Sequence, residues 1–438
     1  MKKKIWSTFL LGISAISVFA QSGTNSPYSQ YGLGVLSDQS ASVSRGMNGL
    51  GIAYRQHNQV NPINPASYSA IDSLSFIFDV GVSGQITNFK EGGKQLNARN
   101  ANFEYASAAL RLARHLGTGF GVLPYTNVGY NYSTTEKIGK DNSTSYYSNT
   151  YKGSGGLHEV YLGLGWEPFK GFSLGVTGSY LWGSYQRSLE NYSGDYSNRV
   201  SKYYSASVNN YKLNVGAQYV ARLTKKDWLT LGVTYGLGHK IGGHPICQVV
   251  SRNSQTGVAD TTSYPRGESI DLEIPTTIGA GLMLNHSGKL RIGADYQLQK
   301  WGGVEYPEYV SENGVTDYKL MSNCFSDRHK VTLGAEICPN ESSTRRYFDR
   351  IRYRFGVSYA TPYIKIINAN GTFDGPKEFS ASVGVGLPIM NVWNNRSILN
   401  ISAQWVRQDS KMFITENTFR LTIGLTFNER WFDKWKVE

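Results

Sequence analysis

Apolar and polar residues alternate along most of this chain, in blocks of roughly ten residues divided by turn residues. In the last block Phe419, Leu421, Ile423, Leu425 and Phe427 are large and apolar, while Arg420, Thr422, Gly424 and Thr426 are polar or glycine. Strand side chains point to opposite faces with period two, so such a block has one greasy face and one wet face. The pattern recurs from residue 74 onward. Leu174, Val176 and Tyr180 oppose Ser173, Thr177 and Ser179; Leu229, Leu231 and Val233 fall on one parity, as do Leu333, Ala335 and Ile337. The block ending at Phe427 is about the fourteenth. Many alternating segments of this length are the signature of a transmembrane barrel, with apolar side chains toward lipid and polar ones inward. The expected fold is all-β: a transmembrane antiparallel β-barrel of about 14 strands.

Connector lengths alternate as well. Short connectors at 115–118, 168–171, 224–227 and 285–288 are separated by long ones at 136–155, 188–204, 249–268 and 301–325. Outer-membrane barrels have short periplasmic turns and longer external loops, which puts both termini in the periplasm. A soluble propeller or sandwich needs many strands too, but not one apolar parity in nearly every strand.

The ends carry separate signals. Lys2, Lys3 and Lys4, the apolar run to Phe19 and the small Ala20 form a secretory signal over 1–20, with cleavage before Gln21. Residues 21–72 do not alternate and are rich in Gly, Ser, Asn and Gln. They form either a tail or a plug folded into the lumen. The barrel is expected over 73–428. The aromatic and basic tail 429–438 is either an interfacial anchor or a contact surface.

Composition fits a barrel in lipid. The 30 Tyr, 18 Phe, 9 Trp and 48 Gly suit alternating strands with aromatic girdles. The formal charge of +12 would admit nucleic acid, but no basic helix or known binding module accompanies it, so that partner is excluded. Cys247, Cys324 and Cys338 have no framework spacing. His239, His244 and Cys247 cluster without a ligand motif, so no metal or cofactor is expected. Hydrolase, zincin and phosphate-loop signatures are missing, and no enzymatic activity is expected.

By parity, several charges point inward: Arg291, Asp295, Lys330, Glu336, Arg350, Arg352, Arg354 and Arg420. They make either an electropositive path for an acidic headgroup or an ion-pair network that fills the lumen and pins the plug. Pro124 interrupts the third strand, where a residue with no N–H marks a break or bulge.

Two further stretches carry a family resemblance. Asn64-Pro65-Ala66 closes the segment Val60-Asn61-Pro62-Ile63, after Arg45-Gly46-Met47-Asn48-Gly49-Leu50. This resembles the N-terminal hatch of the FadL/TodX family of outer-membrane transport proteins. Ser26-Pro27-Tyr28-Ser29-Gln30-Tyr31-Gly32 looks like the opening of their Bacteroidota branch. The resemblance implies a hatch over 21–72 and a substrate path past Asn64, Pro65 and Ala66. It also implies lateral release where the third strand kinks, here at Pro124. The implied function is passive uptake of small hydrophobic molecules. The alternative is an accessory barrel subunit of a larger outer-membrane secretion or assembly complex. Expected partners are outer-membrane lipid, a small hydrophobic ligand and, in the alternative, a protein of that complex.

Overall fold

The computed structural model describes residues 23–430, apart from 74, 138–145, 193–197, 268, 313–314, 342, 344–345, 368–372 and 391–395. The expected signal segment and most of the aromatic tail lie outside the described residues.

Fourteen of the described strands form one closed antiparallel circuit. They are β1 (Ser75–Glu91), β2 (Lys94–Ala113), β3 (Leu116–Lys137), β4 (Tyr146–Phe169), β5 (Phe172–Tyr192), β6 (Arg199–Arg222) and β7 (Asp227–Gly236), then β8 (Thr277–His286), β9 (Leu290–Gln299), β10 (Arg328–Ile337), β11 (Arg352–Ala360), β12 (Lys377–Met390), β13 (Arg396–Asp409) and β14 (Thr415–Arg430). Each strand pairs with its chain neighbours, and β14 closes on β1 from Ser75↔Arg430 to Lys90↔Thr415. Closure leaves few free sheet edges, which is what lets strands cross lipid. No described helix is long and apolar enough to cross a membrane.

The parity read from the sequence is the parity observed. Phe419, Leu421, Ile423 and Phe427 are exposed on the outer face, while Thr422 and Thr426 are buried within. This is a closed antiparallel β-barrel of the transmembrane type, and its all-β class and strand number agree with the pattern of the sequence.

The long connectors differ from expectation. Much of 136–155 and 188–204 is not loop: β4 begins at Tyr146, β5 runs to Tyr192 and β6 starts at Arg199. A tilted strand needs about 9–11 residues to span a bilayer. The 22, 24, 21 and 24 residues of β3 to β6 therefore project well beyond it. The loop 249–268 holds a ribbon, Ile246–Arg252 against Ala259–Tyr264, which continues the sheet from β6. A second hairpin joins Tyr306–Glu312 to Val315–Met321.

Candidate functional site

Most of residues 23–72 are buried against the inner faces of the wall strands. Only short elements form there: 3-10 turns at Pro27–Gln30 and Pro65–Ala70, a two-residue strand at Val35–Leu36, and one helical turn at Ser42–Arg45. Many of its apolar residues are fully buried, among them Met47, Leu50, Tyr54 and Tyr68.

What it packs against is a belt of inward-facing glycines. The belt passes from strand to strand through Gly117↔Gly165, Gly165↔Gly175 and Gly175↔Gly216, and again through Gly293↔Gly334 and Gly334↔Gly356. A Cβ at Gly117 would lie 1.9 Å from the Tyr68 carbonyl oxygen, one at Gly175 2.4 Å from the Ala66 nitrogen, and one at Gly356 2.3 Å from the Met47 carbonyl carbon. The hatch backbone thus runs in a groove that any side chain would close. In the sequence these glycines were visible only as members of the polar parity.

Polar contacts fix the same segment. Asp295 Oδ2 accepts from the N–H groups of Gly51 and Ile52 at 2.7 and 2.9 Å. Asn48, held at φ 58°, donates to Ser358 and Ser380 at 2.7 and 2.6 Å and accepts from Gln404 at 2.7 Å. Ser42 donates to Asp79 at 2.7 Å. Arg45 is buried and reaches Glu104 at 2.7 Å, with Arg420 3.9 Å from the same carboxylate.

The inward charges meet at Glu336. Arg291 approaches it at 2.5 Å, Arg354 at 2.7 Å and Arg352 at 3.5 Å, and Arg352 also contacts Glu341 at 2.9 Å. One anion thus serves three guanidiniums in a site shielded from water, where charges survive only when paired. Lys330 lines the lumen cavity with Asp295 and Arg420. Arg350 departs from expectation. It sits outside the lumen face, in the turn Phe348–Arg350 ahead of β11, with its guanidinium 5.3 Å from the centre of the Tyr347 ring. The strand begins two residues later than its alternation suggests, so Arg350 never acquires an inner face.

Asn64, Pro65 and Ala66 are brought to a packed joint. Asn64 accepts from the Ala66 N–H at 3.1 Å and donates to the Ile52 carbonyl at 2.8 Å. Pro65 presses on Gly165 and Gly175. None of the three lines the lumen cavity. That cavity measures about 260 Å3 and is bordered by Asp38, Glu159, Lys212, Arg328, Lys330 and Glu378. Two pairs cross it: Lys212 with Glu159 at 2.8 Å and Arg328 with Glu378 at 3.3 Å.

Above the cavity, at the long-loop end, the inner face turns apolar. Leu157, Leu181 and Val208 on the wall meet Tyr28 and Leu33 of the hatch and Trp301, Phe325 and Tyr363 of the loops. Trp301 lies 5.4 Å from Phe325 and 4.8 Å from Tyr363, centre to centre. Arg187 ties this cap to the hatch by donating to the Gly32 carbonyl at 2.6 Å and to Tyr306 at 2.9 Å.

Pro124 marks a real irregularity. The pairing of β3 with β4 shifts register between Pro124 and Thr126. Beside it the wall has a seam. Strands β2 and β3 pair only from Ala113↔Leu116 to Ala106↔Val122, although both extend much further. Above Val122 the free edge of β3 is taken by the hatch, with Val35↔Asn127 and Leu36↔Thr126. Asn102 of β2 donates to the Gly23 carbonyl at 2.7 Å, so the hatch also reaches the other side of the seam.

A model of the BamG family matches residues 1–438. This label differs from the FadL/TodX name suggested by the hatch motif. Among curated proteins none matches in sequence. Solved structures do match in fold. The toluene transporter TodX of Pseudomonas putida aligns with TM-score 0.60 at 15% identity, over 91% of this chain and 100% of its own. The monoaromatic hydrocarbon channel CymD gives 0.56 at 15%, covering 91% and 99%, and the Ralstonia pickettii toluene transporter TbuX 0.57 at 15%, covering 90% and 99%. At such identities the likeness is one of fold, and the fold is that of FadL/TodX-type outer-membrane channels.

Proposed function

The chain belongs to the BamG family, and from its filled lumen we propose that it acts as an accessory barrel subunit of a larger outer-membrane assembly. The observation that carries this reading is the fit of the hatch to the glycine belt. A plug that must move aside for cargo pays a penalty for every close backbone contact and buried ion pair it gives up, and here both encircle it. The cavity that remains is small and charged, whereas sites for hydrophobic ligands are mainly apolar with few polar groups. A fixed barrel with tall, folded outer strands offers instead a rigid surface to other proteins.

A second reading, passive uptake of small hydrophobic molecules with release through the wall, is favoured by a different observation. The β2–β3 seam beside Pro124 is closed by hatch residues rather than by strand pairing. The fold shared with hydrocarbon channels accords with it. In this reading the substrate passes the cap, and the Val35–Leu36 strand leaves the seam.

Purification from the native outer membrane in mild detergent separates the two. A stoichiometric protein partner and no extractable hydrophobic ligand supports the accessory role. A lone barrel carrying hydrophobic molecules supports uptake and sets the accessory role aside.

A further inference from the structure

The outer wall carries a depression of about 990 Å3 across β12, β13, β14, β1 and β2, near the top of the range of roughly 300–1,000 Å3 for ligand pockets. Gly84 and its neighbour Ala101 make the low part of its floor, while Leu421, paired with Gly84 on the other side and with Ala403 beyond, stands half exposed. A Cβ on Gly84 would meet nothing within 4 Å, so the space there is open. One row nearer the long-loop end, Ile86, Phe419 and Trp405 stand side by side as its wall. All these positions lie on the outward, lipid-facing parity.

One cation stands in the upper of these rows and another in the row above it. Arg99 pairs with Ile86 and is exposed on the outer side. It has no ion-pair partner among the described residues. Arg407 stands one row above Trp405, next to Phe379 and Asn417, and is half exposed. Asp409 lies 3.1 Å from its guanidinium and neutralises part of that charge. A charge turned toward hydrocarbon is costly. Two guanidiniums above an apolar trough match a molecule with an apolar chain and an anionic head, since basic side chains at the membrane surface attract anionic lipid.

We propose that this trough is a binding site for a phosphate-bearing anionic lipid, with an acyl chain along Gly84 and Ala101 and the headgroup phosphate on Arg99; Arg407, three strands away at about 4.8 Å per strand, adds attraction at longer range. The site faces outward and owes nothing to the lumen, so it stands apart from the choice between accessory and transport roles. Arg99 is the principal anchor because it is free of a counter-charge; Arg407 is the secondary one.

The test is native mass spectrometry of the full-length protein released from nanodiscs of equal phosphatidylglycerol and phosphatidylcholine. The retained lipid is expected to favour phosphatidylglycerol by about fivefold for each engaged guanidinium. Replacing both anchors, Arg99→Gln with Arg407→Gln, brings the ratio to parity. Filling the trough, Gly84→Leu with Ala101→Leu, lowers the total lipid retained. Heat-modifiable gel mobility verifies that each variant is a folded barrel. Parity in the unaltered protein, an undiminished preference in the double Gln variant, or undiminished retention in the filled variant would each overturn the proposal.

Discussion

The two halves of the lumen are filled by opposite chemistry on the same parity of the same strands. In the lower half the inward residues of β4, β5 and β6 are Glu159, Ser179 and Lys212, and the hatch is held by ion pairs and hydrogen bonds. In the upper half the inward residues of those strands are Leu157, Leu181 and Val208, and the hatch is held by an aromatic and aliphatic core. The switch happens where the strands leave the bilayer. Below it the outer face meets lipid, so the inner face must take every polar group. Above it the outer face meets water, and the inner face is free to build an ordinary hydrophobic core. The upper half behaves like a soluble β-domain grown from the rim of a membrane barrel.

Substitutions should split along this line. The largest effect is expected at Glu336. Glu336→Ala takes the shared carboxylate from buried Arg291 and Arg354 and leaves Arg352 with Glu341 alone, a change that typically costs about 3–5 kcal/mol. It should lower the midpoint of the heat-modifiable transition and expose the hatch to protease. Trp301→Ala removes the centre of the upper core at a comparable intrinsic cost, ~3–5 kcal/mol. Here the loss should be local: the cap becomes protease-sensitive while the barrel keeps its heat-modifiable mobility. If both variants unfolded in one step with equal midpoints, the two halves would not be separate units.

A smaller effect is expected at the belt. Gly175→Ala places a methyl against the backbone of Pro65 and Ala66 and should cost about 1–3 kcal/mol through overpacking. Gly84→Ala, on the outer face with open space around it, should be nearly neutral in the same denaturation assay. Equal effects at the two glycines would refute the belt. The smallest effect concerns Cys247, in the ribbon beyond the membrane, packed with Tyr264 and Tyr318. Burial outweighs the nearby Lys202 ammonium and pushes its thiol up to about 11. The thiol is therefore protonated at pH 8, and maleimide labelling should be slow there and quicken as pH rises toward 11. Labelling in Trp301→Ala should be faster at pH 8 only if cap opening reaches the ribbon.

The contrast also explains what was legible in the sequence. Phe419 to Phe427 could be read at once, because lipid on one side enforces strict alternation. Arg291, Asp295, Glu336, Arg352 and Arg354 followed from parity alone. The upper strands were hidden: Tyr146 to Ser154 and Arg199 to Ser205 face water on their outer side, so their composition is that of a loop. Arg350 was misplaced because alternation cannot say where a strand starts. The hatch contacts of Arg45 and Glu104 could not be foreseen, since 21–72 has no period to fix its direction. The glycine belt was in plain view yet carried no meaning until the hatch was seen to lie on it.

Hydrogen exchange of the hatch amides tests the central claim most directly, that the hatch is a fixed part of the barrel. With the folded protein in detergent, the amides of Met47 to Ala66 should exchange as slowly as those of β9 and β10. Exchange of these amides within seconds, while the wall stays protected, would contradict the claim and return the hatch to the role of a moving plug.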